Sequence, residues 1–106
     1  MILYTKPIKV CNLDYEVVNT DSIIHDGVEV HGLIEPKITR ISINKNLSSG
    51  YYKQAVMHEI VHAIVVAFNI DIGDADLERL VDCMASGQLT WMRDNPDLVE
   101  FFMEEK

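Results

Sequence analysis

The 106-residue chain has no run of about 18 consecutive apolar residues, so a membrane-spanning helix is not expected. Cysteine is scarce. Cys11 and Cys83 are far apart and form no C-x-x-C pair, so a single disulfide is the only pairing open to them, and nothing else points to an oxidising compartment. The first residues, Met1 to Pro7, have no charged segment leading into an apolar core, so no signal peptide is expected and the cytoplasm is the expected location. Basic residues are few, 9 Lys and Arg against 17 Asp and Glu. The net charge of −8 argues against direct nucleic-acid binding, which needs a basic face. There is no internal repeat, low-complexity segment or linker.

What is there is one domain, residues 1–106. A composition 48% hydrophobic and 25% charged is too apolar for disorder. The core of so small a domain is modest, so a metal clip would add to its stability. The first half reads as β. Ile8–Val10 and Tyr15–Val18 flank Asn12-Leu13-Asp14 as a hairpin. Asn19–Gly27 reads as a loop anchored by Ile23-Ile24, and Val28–Glu35 as a strand around Gly32. Thr39–Asn44 alternates, with Ile41 and Ile43 on one face, and predicts a half-buried strand.

The second half reads as helix. Tyr51–Phe68, capped by Ser48 or Ser49, is apolar almost all round after Ala55 and is expected to be buried on most sides. A second helix is expected from about Asp76 to Arg93, with Leu77, Leu80, Val81, Met84, Gln88 and Trp91 inward. Asn95-Pro96 predicts the start of a short third helix, Pro96–Glu104. The fold class is therefore α+β, a small N-terminal sheet packed on helices.

Within the first of these helices stands His58-Glu59-Ile60-Val61-His62, the pattern H-E-x-x-H. Residues four apart share a helix face, so both imidazoles can reach one ion. This is the signature of a zinc hydrolase. Two histidines and a glutamate in an apolar helix are costly unless paired or liganded. A catalytic zinc takes three protein ligands, so a third must join His58 and His62. Candidates are Glu78, Asp82, Asp71, Asp74, Asp76, His25, His31 and Cys83. Glu78 is favoured, because an antiparallel return of the next helix brings it beside the motif. Asp82, one turn further on, would replace it or accept a hydrogen bond from a ligand imidazole. Asp71, Asp74 and Asp76 read as turn and cap residues, Cys83 as a buried small apolar residue, and Tyr51 and Tyr52 as packing on the sheet. Trp91, Phe101 and Phe102 read as core, though the last two in a terminal helix would also suit a partner surface. Glu59 is the expected general base, taking a proton from zinc-bound water and passing it to a leaving amine. His31, on a strand bordering the site, would steady an oxyanion.

Residues from about Gly32 to Ala85 resemble the ImmA/IrrE-type metallopeptidases found in phages and mobile elements of bacteria. The resemblance rests on Ile41-Ser42-Ile43-Asn44, on Gln54-Ala55-Val56-Met57-His58-Glu59-Ile60-Val61-His62-Ala63, and on Glu78-Arg79-Leu80-Val81-Asp82-Cys83-Met84-Ala85. The last segment is similar to the family's E-x-x-A-N-x-F-A, with Val81 and Asp82 in place of Ala-Asn. The resemblance implies a gluzincin-like core, a small twisted sheet on an active-site helix and a glutamate helix, with Glu78 as third zinc ligand. It also implies hydrolysis of a peptide bond in a specific protein, such as a helix-turn-helix repressor. The alternative expectation is a non-catalytic, zinc-stabilised protein-interaction module.

Overall fold

The computed structural model describes residues 2–104; the ends of the expected domain, Met1, Glu105 and Lys106, lie outside the described residues. The fold is α+β, a small mixed sheet against three helices. Strand β1 (Ile8–Val10) turns back into β2 (Leu13–Thr20), pairing Ile8 with Tyr15 and Val10 with Leu13. The turn is Cys11-Asn12, both at positive φ (48° and 75°), the geometry of a tight hairpin matched to strand twist. It lies earlier than the expected Asn12-Leu13-Asp14, because Leu13 is held in the ladder opposite Val10.

Residues 19–35 differ most from expectation. Asn19 and Thr20 belong to β2, not to a loop. Ile24–His25 (β3) and Val28–Glu29 (β4) form a small ribbon around Asp26-Gly27, both at positive φ, a second tight turn of the same kind. The expected strand Val28–Glu35 is broken into β4 and β5 (Gly32–Glu35). Val30 N–H donates to Ile23 at 2.9 Å, whereas the His31 carbonyl accepts from Asn44 N–H at 2.9 Å, so the chain changes partner between these residues. A 3₁₀ turn, Pro36–Ile38, and Thr39 at φ 48° reverse the chain into β6 (Arg40–Asn44). The sheet order is β1-β2-β6-β5, with β6 parallel to β2 and antiparallel to β5. A central strand is covered on both edges, and Ile41 and Ile43 on β6 are fully buried.

Helix α1 (Ser49–Ala67) lies on the sheet. The core joins Val10, Tyr15, Ile41 and Ile43 to Tyr52, Ala55 and Ala63. The Tyr52 hydroxyl holds the N-terminal segment through Tyr4 N–H (3.1 Å) and donates to Asn19. Ser48 occupies the N-cap position, but neither it nor Ser49 makes a side-chain cap bond. α1 is less buried than its apolarity suggested. Ile64, Val66 and Phe68 are exposed, because among the described residues no element covers that side of the end of α1, and Tyr51 is exposed rather than packed on the sheet.

Helix α2 (Asp74–Asp94) returns along α1, and α3 (Pro96–Met103) follows. The inward stripe of α2 is rotated from the expected one. Val81 and Ala85 are buried while Leu80 and Met84 are exposed, since the small Val81 and Ala85 let α1 and α2 approach closely. Trp91 is half-buried against the edge of Phe102, but Phe101 and Phe102 are exposed rather than core. Cys83 is exposed and free, as is Cys11. Among the described residues no helix is long and apolar enough to cross a membrane.

Candidate metal centre

Polar side chains of α1 and α2 meet in a regular antiparallel seam. Gln54 Nε2 donates to Ser86 Oγ at 2.7 Å. One turn along α1, His58 Nδ1 lies 2.9 Å from Asp82 Oδ1. One turn further, His62 Nε2 lies 2.9 Å from Glu78 Oε2. Each step of four residues forward on α1 is thus matched by four residues back on α2, as the helix repeat requires of antiparallel neighbours. Sequence reading missed the Gln54–Ser86 member. Its signal was present in the spacing of Gln54, His58 and His62 against Glu78, Asp82 and Ser86.

At one end of the seam the ligand-type atoms converge. His58 Nε2 and His62 Nε2 are 3.2 Å apart, and the Glu78 carboxylate lies 3.4 Å from the first and 2.9 Å from the second. One ligand atom from each of these three residues lies within 4.8 Å of the others. In a tetrahedral zinc site with bonds of about 2.0–2.1 Å, ligand atoms stand roughly 3.3–3.4 Å apart. The 3.2 and 3.4 Å separations are near that spacing, whereas His62 and the second Glu78 oxygen, at 2.9 Å, stand at hydrogen-bond distance and would have to part slightly to admit an ion. Asp82 completes the fit. A proton on His58 Nδ1 facing the Asp82 carboxylate leaves the lone pair of Nε2 aimed at the shared point. Burial holds the His62 imidazole below its usual range, assisted by nearby His58, although Glu78 pulls the other way. A metal ligand must be neutral, so this direction suits the site. Asp82→Ala is expected to weaken zinc binding roughly 10–100-fold while leaving the fold intact, measured by competition with a chelating dye.

Glu59 sits one residue round the helix from His58 and faces the sheet, where it is buried with only 5% exposure. Burial pushes its carboxyl up to about 8, and repulsion from Glu78 adds to the effect. The backbone of β5 passes directly over it. A Cβ built on Gly32 would lie 3.0 Å from Glu59 Oε2, 3.1 Å from its Cγ and 3.3 Å from Ile43 Cδ1. Gly32 is therefore the position that lets the sheet approach the glutamate. We expect Gly32→Ala to shift Glu59 by a few tenths of an ångström. Zinc content should be unchanged and any turnover should fall roughly 10–100-fold.

The raised carboxyl has a thermodynamic consequence for the metal-free protein. Folded Glu59 keeps its proton up to about pH 8, whereas the unfolded chain releases it near 4.5. The folded state then binds more protons across that window, so this contribution to stability is complete below the unfolded value and is lost as pH rises through about 8. Glu59→Gln, which mimics the protonated form, should stabilise the metal-free protein at pH 8 by on the order of 2–4 kcal/mol and have little effect at pH 5. Thermal melts of both proteins at the two pH values check this.

A cleft of about 330 Å³ opens beside the centre, walled by Val30, His31 and Gly32 on one side and by Tyr51 and Gln54 on the other. Glu59, His58, Glu78 and Asp82 reach into it. His31 stands in this wall, its ring edge-on to Tyr51 at 5.8 Å, and is not part of the ligand cluster. The Glu78 side of the cluster is open, with 59% of that side chain exposed against 18% for His58. The remaining candidate ligands lie elsewhere. His25 is on the β3–β4 ribbon, 3.4 Å from Asp26, and Asp71, Asp74 and Asp76 are exposed around the start of α2. A scan against protein-family models and searches of curated proteins and of solved structures return no match.

Proposed function

We propose that this chain is a zinc-dependent metallopeptidase that cleaves a peptide bond in a specific protein. The observation that carries the reading is the convergence of His58 Nε2, His62 Nε2 and the Glu78 carboxylate, within 2.9–3.4 Å of one another, beside a cleft that also holds Glu59. A zinc ion bound there supplies Lewis acidity, polarising a carbonyl and bringing the pKa of water down to about 7. His58, His62 and Glu78 hold the ion, with Asp82 orienting His58. Glu59 accepts the proton given up as the carbonyl is attacked and delivers it to the leaving amine. Its buried position excludes competing water, and a cation beside it opposes the effect of burial on its carboxyl. His31, across the cleft, is placed to donate to the oxyanion. The outer edge of β5 offers a substrate backbone a strand to pair with. In keeping with the ImmA/IrrE-type resemblance, we take the substrate to be a protein such as a helix-turn-helix repressor and the site of action to be the cytoplasm.

One observation favours the alternative, a non-catalytic zinc-stabilised interaction module. α2 buries only Val81 and Ala85, so a zinc clip to α1 would supply much of what holds it. Elemental analysis together with cleavage of a proteome-derived peptide library, read by mass spectrometry, separates the two. About one zinc per chain with defined cleavage sites supports the peptidase. One zinc and an uncut library supports the module. No zinc in a folded protein sinks both.

A further inference from the structure

We propose that the face of α1 turned away from the metal centre carries a second site, which binds a free single-chain aliphatic carboxylate of the fatty-acid type. At about 100° per residue, His58, His62 and Gln54 fall on one side of α1, and Val56, Ile60, Lys53 and Met57 on the other. On that second side a pocket of about 390 Å³ lies between α1, the end of α2 and the N-terminal segment. Val56, Met57, Ile60 and Leu89 line it, and all four are half-buried, an apolar wall that no side chain of the described residues fully covers. Its size is that of a small-molecule site, and its walls are mostly apolar with a few charged groups, the usual make-up of a ligand pocket.

The charge of those groups selects the ligand. Lys53 and Arg93 both line the pocket, in a chain of net charge −8 with only 9 Lys and Arg. Lys9, Arg40 and Lys45 pair with Asp14, Glu16 and Asp21, whereas among the described residues neither Lys53 nor Arg93 forms an ion pair. Two unpaired cations beside an apolar pocket suit an anionic head on an aliphatic tail. The net charge of −8 opposes approach to an anionic bilayer, which favours a free carboxylate over a lipid in a membrane. The site shares no lining residue with the metal cleft, so it stands or falls apart from the peptidase reading.

The test is calorimetric titration of the zinc-loaded chain with octanoate, decanoate and dodecanoate below their micellar concentrations. One site per chain is expected, with affinity rising roughly 10–15-fold per two methylenes. The double variant Lys53→Gln/Arg93→Gln changes only exposed side chains and should weaken dodecanoate binding roughly tenfold. Met57→Trp places an indole across the pocket and should abolish binding without altering zinc content. A carboxylate could instead sit on the zinc. Dodecanoate binding that disappears in folded His58→Ala, or that survives Met57→Trp, would place the ligand there and overturn the second site. An unchanged affinity in the double variant, equal affinity for dodecyltrimethylammonium, tighter binding to phosphatidylglycerol vesicles than to the free acid, or no saturable binding would also overturn it.

Discussion

Glu59→Gln should bind about one zinc per chain, as is expected of the wild type, and should cleave the substrate of the proposed peptidase roughly 10²–10⁴-fold more slowly. The separation of the two readouts follows from where Glu59 sits. Its oxygens are not among the ligand atoms of the cluster, which come from His58, His62 and Glu78. Glutamine has the same shape, so the close fit under Gly32 is kept and the sheet need not move. What is lost is an oxygen able to take a proton, and with it general acid–base assistance. The measurement pairs metal content with initial rates on the same preparation. Equal rates in wild type and variant would remove Glu59 from the chemistry. Equal zinc content with lost cleavage would distinguish this role from a structural one, because a misfolded variant would lose both.

The second large effect concerns stability. Chelation of zinc should lower the melting temperature by about 10–20 °C relative to protein in free zinc at about 100 times the dissociation constant. Binding at that ratio contributes about 2.7 kcal/mol, and each kcal/mol shifts a domain of this size by about 4–8 °C. The argument is structural as well as thermodynamic. α2 is tied to α1 by Val81 and Ala85, by Gln54–Ser86 and by the carboxylates facing His58 and His62. In the metal-free protein, burial and, to a lesser degree, the nearby Glu78 carboxylate hold Glu59 protonated up to about pH 8. His62→Ala and Glu78→Gln should each melt near the temperature of the chelated wild type and respond little to added zinc. A melting temperature that ignores both chelator and added zinc would show that the cluster holds no ion.

The α+β division was legible because it depends on local pattern. Ile41 and Ile43 alternate on β6, and the H-E-x-x-H spacing places two imidazoles on one face of any α-helix, whatever surrounds it. What was misread depends on neighbours distant in sequence. Leu80 and Met84 look inward by hydrophobicity, but the close approach of α2 at Val81 and Ala85 turns them out to solvent. Phe101 and Phe102 look like core, yet α3 meets chiefly the end of α2, where Trp91 touches the edge of Phe102, and both phenylalanines stay exposed. Asp26-Gly27 carried a hairpin signal that went unread because its strands are only two residues long.

By itself, then, the sequence determined the helix face shared by His58 and His62 and the net negative charge of the chain. These follow from the 3.6-residue repeat and from composition, which need no tertiary contact. Only the tertiary structure decided that Asp82 meets Nδ1 of His58, that Gly32 covers Glu59, and that Lys53 and Arg93 share a pocket. Each of those joins residues on different elements. Their meeting depends on the register of α2 against α1 and of β5 against β6, which is set by packing of side chains far apart along the chain.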